Sequence, residues 1–361
     1  VKRIRPRPLV ASQLMRPTPR MMGGGRTREA LVVLSRESIA RGSKSFAAAS
    51  MLFNRATRER AHMLYAWCRR CDDIADGQDH GGELKLDGSD PRDRIEAIRI
   101  LTHRALDGQP TADIAFDALG LVASEMQLTR RMCDDVIDGF VLDAEGWRPR
   151  TEGDLMRYCY HVAGAVGVMM ARVMGVPASE KETYDRACDL GLAFQLCNIA
   201  RDLWEDDAAG RCYLPVEWLA EHDIPPGQHM KPQYRAQLAR MAARLVALAE
   251  THEAAARVGA GRLPFRQRWA VLSAANIYGA IGREVRRRGE SAWDRRVRTG
   301  ALAKARHVAR AFREASRGSI EPEELPRWSR GELVAMARMA GPVADIPRTP
   351  LPDEGVRPAR D

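Results

Sequence analysis

Gln195-Leu196-Cys197-Asn198-Ile199-Ala200-Arg201-Asp202-Leu203-Trp204-Glu205-Asp206-Asp207 reads as a stretch of helix with a reactive face. At about 100° per residue, Gln195, Asn198, Asp202 and Asp206 share an arc of about 80°, and Leu192 and Ile199 flank it on the side that packs inward. Tyr65-Ala66-Trp67-Cys68-Arg69-Arg70-Cys71-Asp72-Asp73-Ile74-Ala75-Asp76 repeats the arrangement upstream. There Tyr65, Arg69, Asp72 and Asp76 fall within about 60° of arc. Carboxylates that face one another across a cavity repel unless a cation lies between them. Mg²⁺ suits that position, because it takes oxygen ligands and commonly uses one or two carboxylates, with water and phosphate oxygens completing its shell. The two clusters therefore read as the jaws of a magnesium–diphosphate clamp, with Asp72, Asp76, Asp202 and Asp206 as candidate ligands.

Either acidic pair alone carries little. A chain with 48 acidic residues in 361 holds about six i, i+4 acidic pairs by chance, and a solvated helix face with Arg69 and Arg70 as partners explains Asp72 and Asp76 equally well. The recurrence beside the uncharged amides of Gln195 and Asn198 is what singles the pattern out.

Around the clusters the chain is helical. Residues 112–144, 154–174, 183–206, 232–258 and 267–288 show three-to-four spacing of apolar residues, and no stretch alternates convincingly. Breaks fall at Gly77 to Pro91, Gly108 to Pro110, Gly146 to Pro149, Val176-Pro177, Ala208 to Pro215, Ile224 to Gly227 and Gly261 to Pro264. An all-α protein follows, with one domain over residues 31–320 whose helices bundle around a central cavity. The first 30 residues carry eight Lys or Arg against one acid, with four prolines and a glycine run, and read as a disordered basic arm. A transit peptide or an upstream start site is the alternative reading of that arm. The proline-rich stretch 321–361 reads as a loosely packed or disordered tail.

Seven cysteines without regular spacing point to a reducing, cytoplasmic setting rather than a disulfide framework. Cys68-Arg69-Arg70-Cys71 has CxxC spacing but no second pair, so zinc or redox use is not indicated. No run of 18 apolar residues occurs; the nearest, Val162 to Val176, is interrupted by Gly164, Gly167, Arg172 and Gly175. A net charge of +9 and runs such as Arg286-Arg287-Arg288 raise nucleic-acid binding as a rival class. No nucleic-acid module or aromatic platform accompanies them. A basic face suits an anionic membrane surface better, which makes a peripheral protein at the inner membrane face the expectation.

The two acidic stretches, with Gly210-Arg211-Cys212-Tyr213-Leu214-Pro215 following the second, resemble the signatures of the squalene and phytoene synthase family. Gly42-Ser43-Lys44-Ser45-Phe46, Tyr158-Cys159-Tyr160-His161-Val162-Ala163-Gly164, Ala275-Asn276-Ile277-Tyr278 and Ala292-Trp293-Asp294-Arg295-Arg296 agree, in order along residues 35 to 310. Within the family the pattern is most similar to the bacterial phytoene synthases. The resemblance implies a class I isoprenoid synthase-type bundle that joins two geranylgeranyl diphosphates head to head, through a cyclopropyl diphosphate, for carotenoid biosynthesis. It implies Mg²⁺, with Mn²⁺ as a substitute, and no NADPH. Carried over by position, Asp72, Asp76, Asn198, Asp202 and Asp206 match the metal and diphosphate ligands. Arg69, Tyr158, Gln195, Tyr278 and Arg296 match the diphosphate and cation region, Tyr158 and Tyr278 as catalytic residues. Ser43 and Phe46 match substrate-binding positions, and Arg295 competes with Arg296 for its assignment.

The chemistry also follows from the residues. An allylic diphosphate leaves as a carbocation only when the departing charge is neutralised, which metal held by the acidic rows and guanidinium donors from Arg69 and Arg296 would accomplish. Water destroys the cation, so the cavity should be dry and lined by side chains such as Phe46 and those of Val162 to Val176. Ala163, Gly164, Ala165 and Gly167 either leave room for a long chain or let helices pack closely. Ala208 to Pro215 is either a lid over the metal site or a plain helix-terminating loop. A farnesyl diphosphate enzyme of the squalene or dehydrosqualene type remains the alternative. Head-to-tail elongation fits less well, because asparagine stands four before Asp202.

Overall fold

The computed structural model describes residues 21–79, 82–83, 90–317 and 326–339. Among them the one extended pairing is the two-residue ladder of Gln78 with Glu83 and Asp79 with Gly82. Every other regular element is helical, as the apolar spacing implied. The first helices are α1 (Arg28–Gly42), α2 (Lys44–Ser50), α3 (Arg55–Ala75), α4 (Pro91–Leu106), α5 (Ile114–Met126) and α6 (Arg130–Ala144). Then come α7 (Glu152–Cys159), α8 (Ala165–Val173), α9 (Lys181–Ala208) and α10 (Val216–Ala220). The chain continues through α11 (Arg235–Ala260), α12 (Phe265–Arg288), α13 (Ala301–Ser316) and α14 (Arg330–Met339).

Local chemistry sets the helix starts. Asn54 Oδ1 accepts from the Thr57 amide at 2.9 Å and opens α3. Thr151 and Asp154 form a reciprocal capping box at α7. Residues 112–144 do not form one helix: Gln127 takes the left-handed conformation at φ 55° and Thr129 caps a new start. Neither residue is a glycine or proline, which is why the break does not show in the sequence. Between α7 and α8, Tyr160–Gly164 forms a π-turn that keeps the two helices continuous.

α9 is the central rod. It packs against α8, α11 and α12, while α4, α5 and α6 cover the other side of α3. One continuous core runs from Leu31 to Leu333. At the α8–α9 contact a Cβ on Gly191 would lie 2.2 Å from the Ala163 carbonyl oxygen, and one on Gly167 would lie 2.2 Å from that of Ala187. The small residues of 163–167 therefore serve close helix packing, and Ala163 and Gly167 also face the cavity.

Both chain ends are more ordered than expected where they are described. Residues 21–30 are tied to the body at a few points: the Met21 amide donates to Gly108 O at 2.7 Å, Arg26 pairs with buried Asp117 at 3.2 Å, and α1 begins at Arg28. The rest of the basic arm, residues 1–20, lies outside the described residues. In the tail, α14 docks on α7 and α9 with Leu333 fully buried; residues 318–325 and 340–361 lie outside the description. No helix among the described residues is long and apolar enough to cross a membrane.

Candidate active site

A cavity of about 350 Å³ lies between α2, α3, α8, α9, α11 and α12. Its walls are mainly aliphatic and aromatic, among them Phe46, Phe53, Val166, Met170 and Phe194. On α9 the lining runs from Thr183 to Asn198, about 22 Å at 1.5 Å per residue. Leu64, Tyr65 and Cys68 of α3 and Ala270, Val271, Ala274 and Tyr278 of α12 supply facing walls. On α3 and α9 the same polarity holds: lining residues come first, and the acidic turns follow at the C-terminal end. The acids therefore cap one end of an apolar chamber.

Asp72 and Asp76 on α3 and Asp202 and Asp206 on α9 form the two rows. Arg69 Nη1 donates to Asp72 Oδ2 at 2.8 Å, and its Nη2 pairs with buried Asp73 at 2.6 Å. On the other row Arg201 Nε donates to Asp202 Oδ1 at 2.6 Å, and Arg296 Nε reaches the same oxygen at 3.0 Å. Arg296 also approaches Glu205 at 3.4 Å. Of the adjacent arginines, Arg296 brings its side chain to Asp202, and the Arg295 carbonyl accepts from Arg288.

Crowded carboxylates perturb one another. Desolvation in the cleft, then the charge of Asp202, pushes Asp206 up to about 7, against the opposing pull of Arg211. Desolvation and then Asp76 push Asp72 up to about 6, although its side chain keeps 47% of its surface.

Three residues that periodicity does not reveal complete the site. Arg211 Nη2 donates to Asp76 Oδ1 at 2.6 Å, tying the loop after α9 to the end of α3. Its amide returns to Asp206 O at 2.8 Å, so the 208–215 segment ends the helix and also carries a cation back over the acids. Asp143 on α6 accepts from Tyr213 at 2.8 Å and Tyr158 at 3.1 Å. Burial raises the Asp143 carboxyl, and the tyrosine hydroxyls and Arg211 oppose that rise. Arg211 and Tyr213 stand inside the Gly210–Pro215 stretch, so that stretch was their signal; Asp143 had none.

Of the remaining candidates, Ser43, Phe46, Gln195, Asn198 and Tyr278 line the cavity. Phe46 lies 5.7 Å from the Tyr65 ring, and Tyr278 stacks on Phe194 at 4.2 Å. Ser43 also caps α2, accepting from the Phe46 amide at 3.3 Å. Tyr158 is not on the cavity wall. It is buried between Trp147 and Tyr213, with ring centroids at 5.9 and 4.7 Å, and meets the clamp through Asp143. Burial, and then the charge of Asp72, pushes the Cys68 thiol up to about 12.

Among the described residues no three His, Cys, Asp or Glu side chains converge as a ready-made metal cage. The donors are carboxylates and an amide set in two rows, with excess negative charge at Asp206. Such a set fits a hard cation that draws the rest of its shell from water and a diphosphate.

Known proteins resemble the chain over most of its length. The chain is 44% identical over 298 residues to a phytoene synthase of Pseudescherichia vulneris, covering 81% of this chain and 96% of that one. It is 43% identical over 264 residues to a 15-cis-phytoene synthase of Pantoea ananas, covering 73% and 85%. A crystal structure of a dehydrosqualene synthase in complex with ligand superposes with a TM-score of 0.70 at 25% identity, over 80% of this chain and 98% of that one. A squalene synthase from Alicyclobacillus acidocaldarius shares the fold, with a TM-score of 0.63 at 22% identity over 74% and 98% of the two chains. Residues 39–303, which hold both acidic rows, the cavity and Arg296, match the family model described as squalene/phytoene synthase. With that span and those relatives behind it, the chain belongs to the squalene/phytoene synthase family.

Proposed function

We propose that the chain is a prenyltransferase that condenses two geranylgeranyl diphosphates head to head, through a cyclopropyl diphosphate, to phytoene. The observation that carries this reading is the placement of two acidic rows, on α3 and α9, at one end of a long apolar cavity. Relatives at 41–44% identity that bear the name phytoene synthase support the C20 substrate over farnesyl diphosphate. Mg²⁺, or Mn²⁺ in its place, bound through Asp72, Asp76, Asn198, Asp202 and Asp206 would neutralise the departing diphosphate. Arg69, Arg211 and Arg296 already border the acids and are placed to donate to phosphate oxygens. Gln195 and Asn198 turn amides toward the chamber at the junction of polar end and apolar wall. Tyr278, backed by Phe194, presents an aromatic face there that stabilises positive charge without offering a strong nucleophile. The apolar walls exclude water from the allylic cation and from its rearrangement. Tyr158 acts through Asp143, as a positioning residue. The reaction draws on no NADPH in this reading, and the protein works in the cytoplasm, against the inner membrane face.

Purified protein with Mg²⁺ and without NADPH is given geranylgeranyl diphosphate and, separately, farnesyl diphosphate, and the hydrocarbon is identified by mass. A C40 product, reduced about a hundredfold or more in Asp72→Ala and Asp202→Ala, is the expected outcome. A C30 product would move the assignment to dehydrosqualene synthesis, and no hydrocarbon from either would leave the clamp without this reaction.

A further inference from the structure

The arginine run that dominates the sequence is not free. Arg286 makes two hydrogen bonds to Glu250, at 2.6 and 2.9 Å, and Arg287 and Arg288 both bind Glu284. Among the cations that make no ion pair with a described carboxylate are two exposed arginines of α13, Arg306 and Arg313. At about 100° per residue, Leu302, Ala305, Ala309 and Phe312 form an outward stripe about 80° wide, bordered on one edge by Arg306, Arg310 and Arg313. Leu302 is 71% exposed and Phe312 45% exposed. Arg306 and Arg313 are exposed and make no ion pair among the described residues, whereas Arg310 holds Glu314 at 2.8 Å.

The apolar strip continues past α13. The Phe312 ring packs edge-on against Phe265 at 5.4 Å, and Phe265 is itself 41% exposed. The next residue, Arg266, donates to the Leu52 carbonyl at 3.1 Å, which brings the exposed Met51 alongside. This strip backs onto the cavity end farthest from the acids. Ala260 and Val271 line the cavity, and they also belong to the small cluster formed with Ala311, Ala315 and Trp269 beneath α13.

We propose that this face, built from Leu302, Arg306, Phe312, Arg313, Phe265 and Met51, is the surface by which the protein docks on an anionic phospholipid bilayer. Exposed aromatic and aliphatic groups enter the interface while the flanking guanidiniums meet lipid phosphates, a pairing that an amphipathic surface helix uses. Docked this way, the apolar end of the cavity faces the lipid and the acidic end faces water. The proposal rests on the prenyltransferase reading for the purpose of that orientation, not for the docking itself.

The intact 361-residue chain is floated with phosphatidylcholine vesicles, with and without phosphatidylglycerol, at about 0.1 M and about 1 M salt. Binding is expected to need phosphatidylglycerol and to fall at the higher salt. Leu302→Asp with Phe312→Asp, and separately Arg306→Ala with Arg313→Ala, should each lower partitioning about tenfold or more, with unchanged circular dichroism and unchanged hydrocarbon synthesis from detergent-dispersed substrate. Arg286→Ala with Arg287→Ala, the paired run, should bind as the parent does. Parental binding by both patch variants, indifference to lipid charge, or a change in sedimentation without a change in vesicle binding would overturn the proposal; the last result would assign the face to a second copy of the chain. Flotation reads docking whether or not the hydrocarbon assay succeeds, so the two readings fail separately.

Discussion

His62 sits behind the cavity wall, buried, with its Nε2 2.8 Å from Ser50 Oγ. Burial, and then the positive fields of Arg58 and Arg36, lower its pKa to about 4. In the unfolded chain it returns to about 6.5, so as pH falls the unfolded state takes the proton first. Its contribution to stability is complete above about pH 6.5 and is lost as pH drops toward 4. Urea unfolding at about pH 7 and about pH 5 should differ by about 2 kcal/mol through this residue. His62→Gln, which keeps a partner for Ser50 and cannot titrate, should flatten that difference; an undiminished difference would refute the assignment. Nothing near His62 in the sequence signals this, because its surroundings come from the fold. The contrast with Asp72, Asp76, Asp202 and Asp206 is instructive: those four share helix faces, and a face can be read at 100° per residue. Arg211 reaches Asp76 across 135 positions, and no local period encodes such a contact.

Helices show the same divide. Breaks that coincide with glycine and proline, such as 108–110 and 261–264, were legible because those residues disfavour helix continuation for stated steric reasons. The break at Gln127 and the π-turn at Tyr160–Gly164 depend on what packs against them, and their residue types do not announce them. Close approach of α8 and α9 makes a sharp prediction at this scale. Gly191→Ala places a methyl group 2.2 Å from a backbone oxygen that cannot swing aside. The variant should lose about 1–3 kcal/mol, read as a lower melting temperature, as the two helices are forced apart. An unchanged melting temperature would show that this contact is not tight in solution.

At the scale of the whole molecule, α14 closes the fold. Arg330 binds Asp185 at 2.5 Å, Trp328 Nε1 donates to Glu152 at 3.2 Å, and Leu333 is fully buried. A chain ended after residue 325 should lose about 2–4 kcal/mol, seen as a lower calorimetric melting temperature. Equal stability would mean that α14 contributes nothing to the body it touches. Composition suggested a loose tail here, since proline density outweighs a ten-residue helix in any windowed reading. Net charge was equally blunt: +9 says nothing of which arginines are already spoken for. α9 carries both the chamber lining from Thr183 and the acidic row that ends at Asp206, within one unbroken helix of 28 residues. Inserting or deleting a single residue between them would turn one set about 100° away from the other. Descendants of this gene can therefore reshape the chamber by exchanging side chains along the wall, but not by gaining or losing a single codon between the wall and the acidic row.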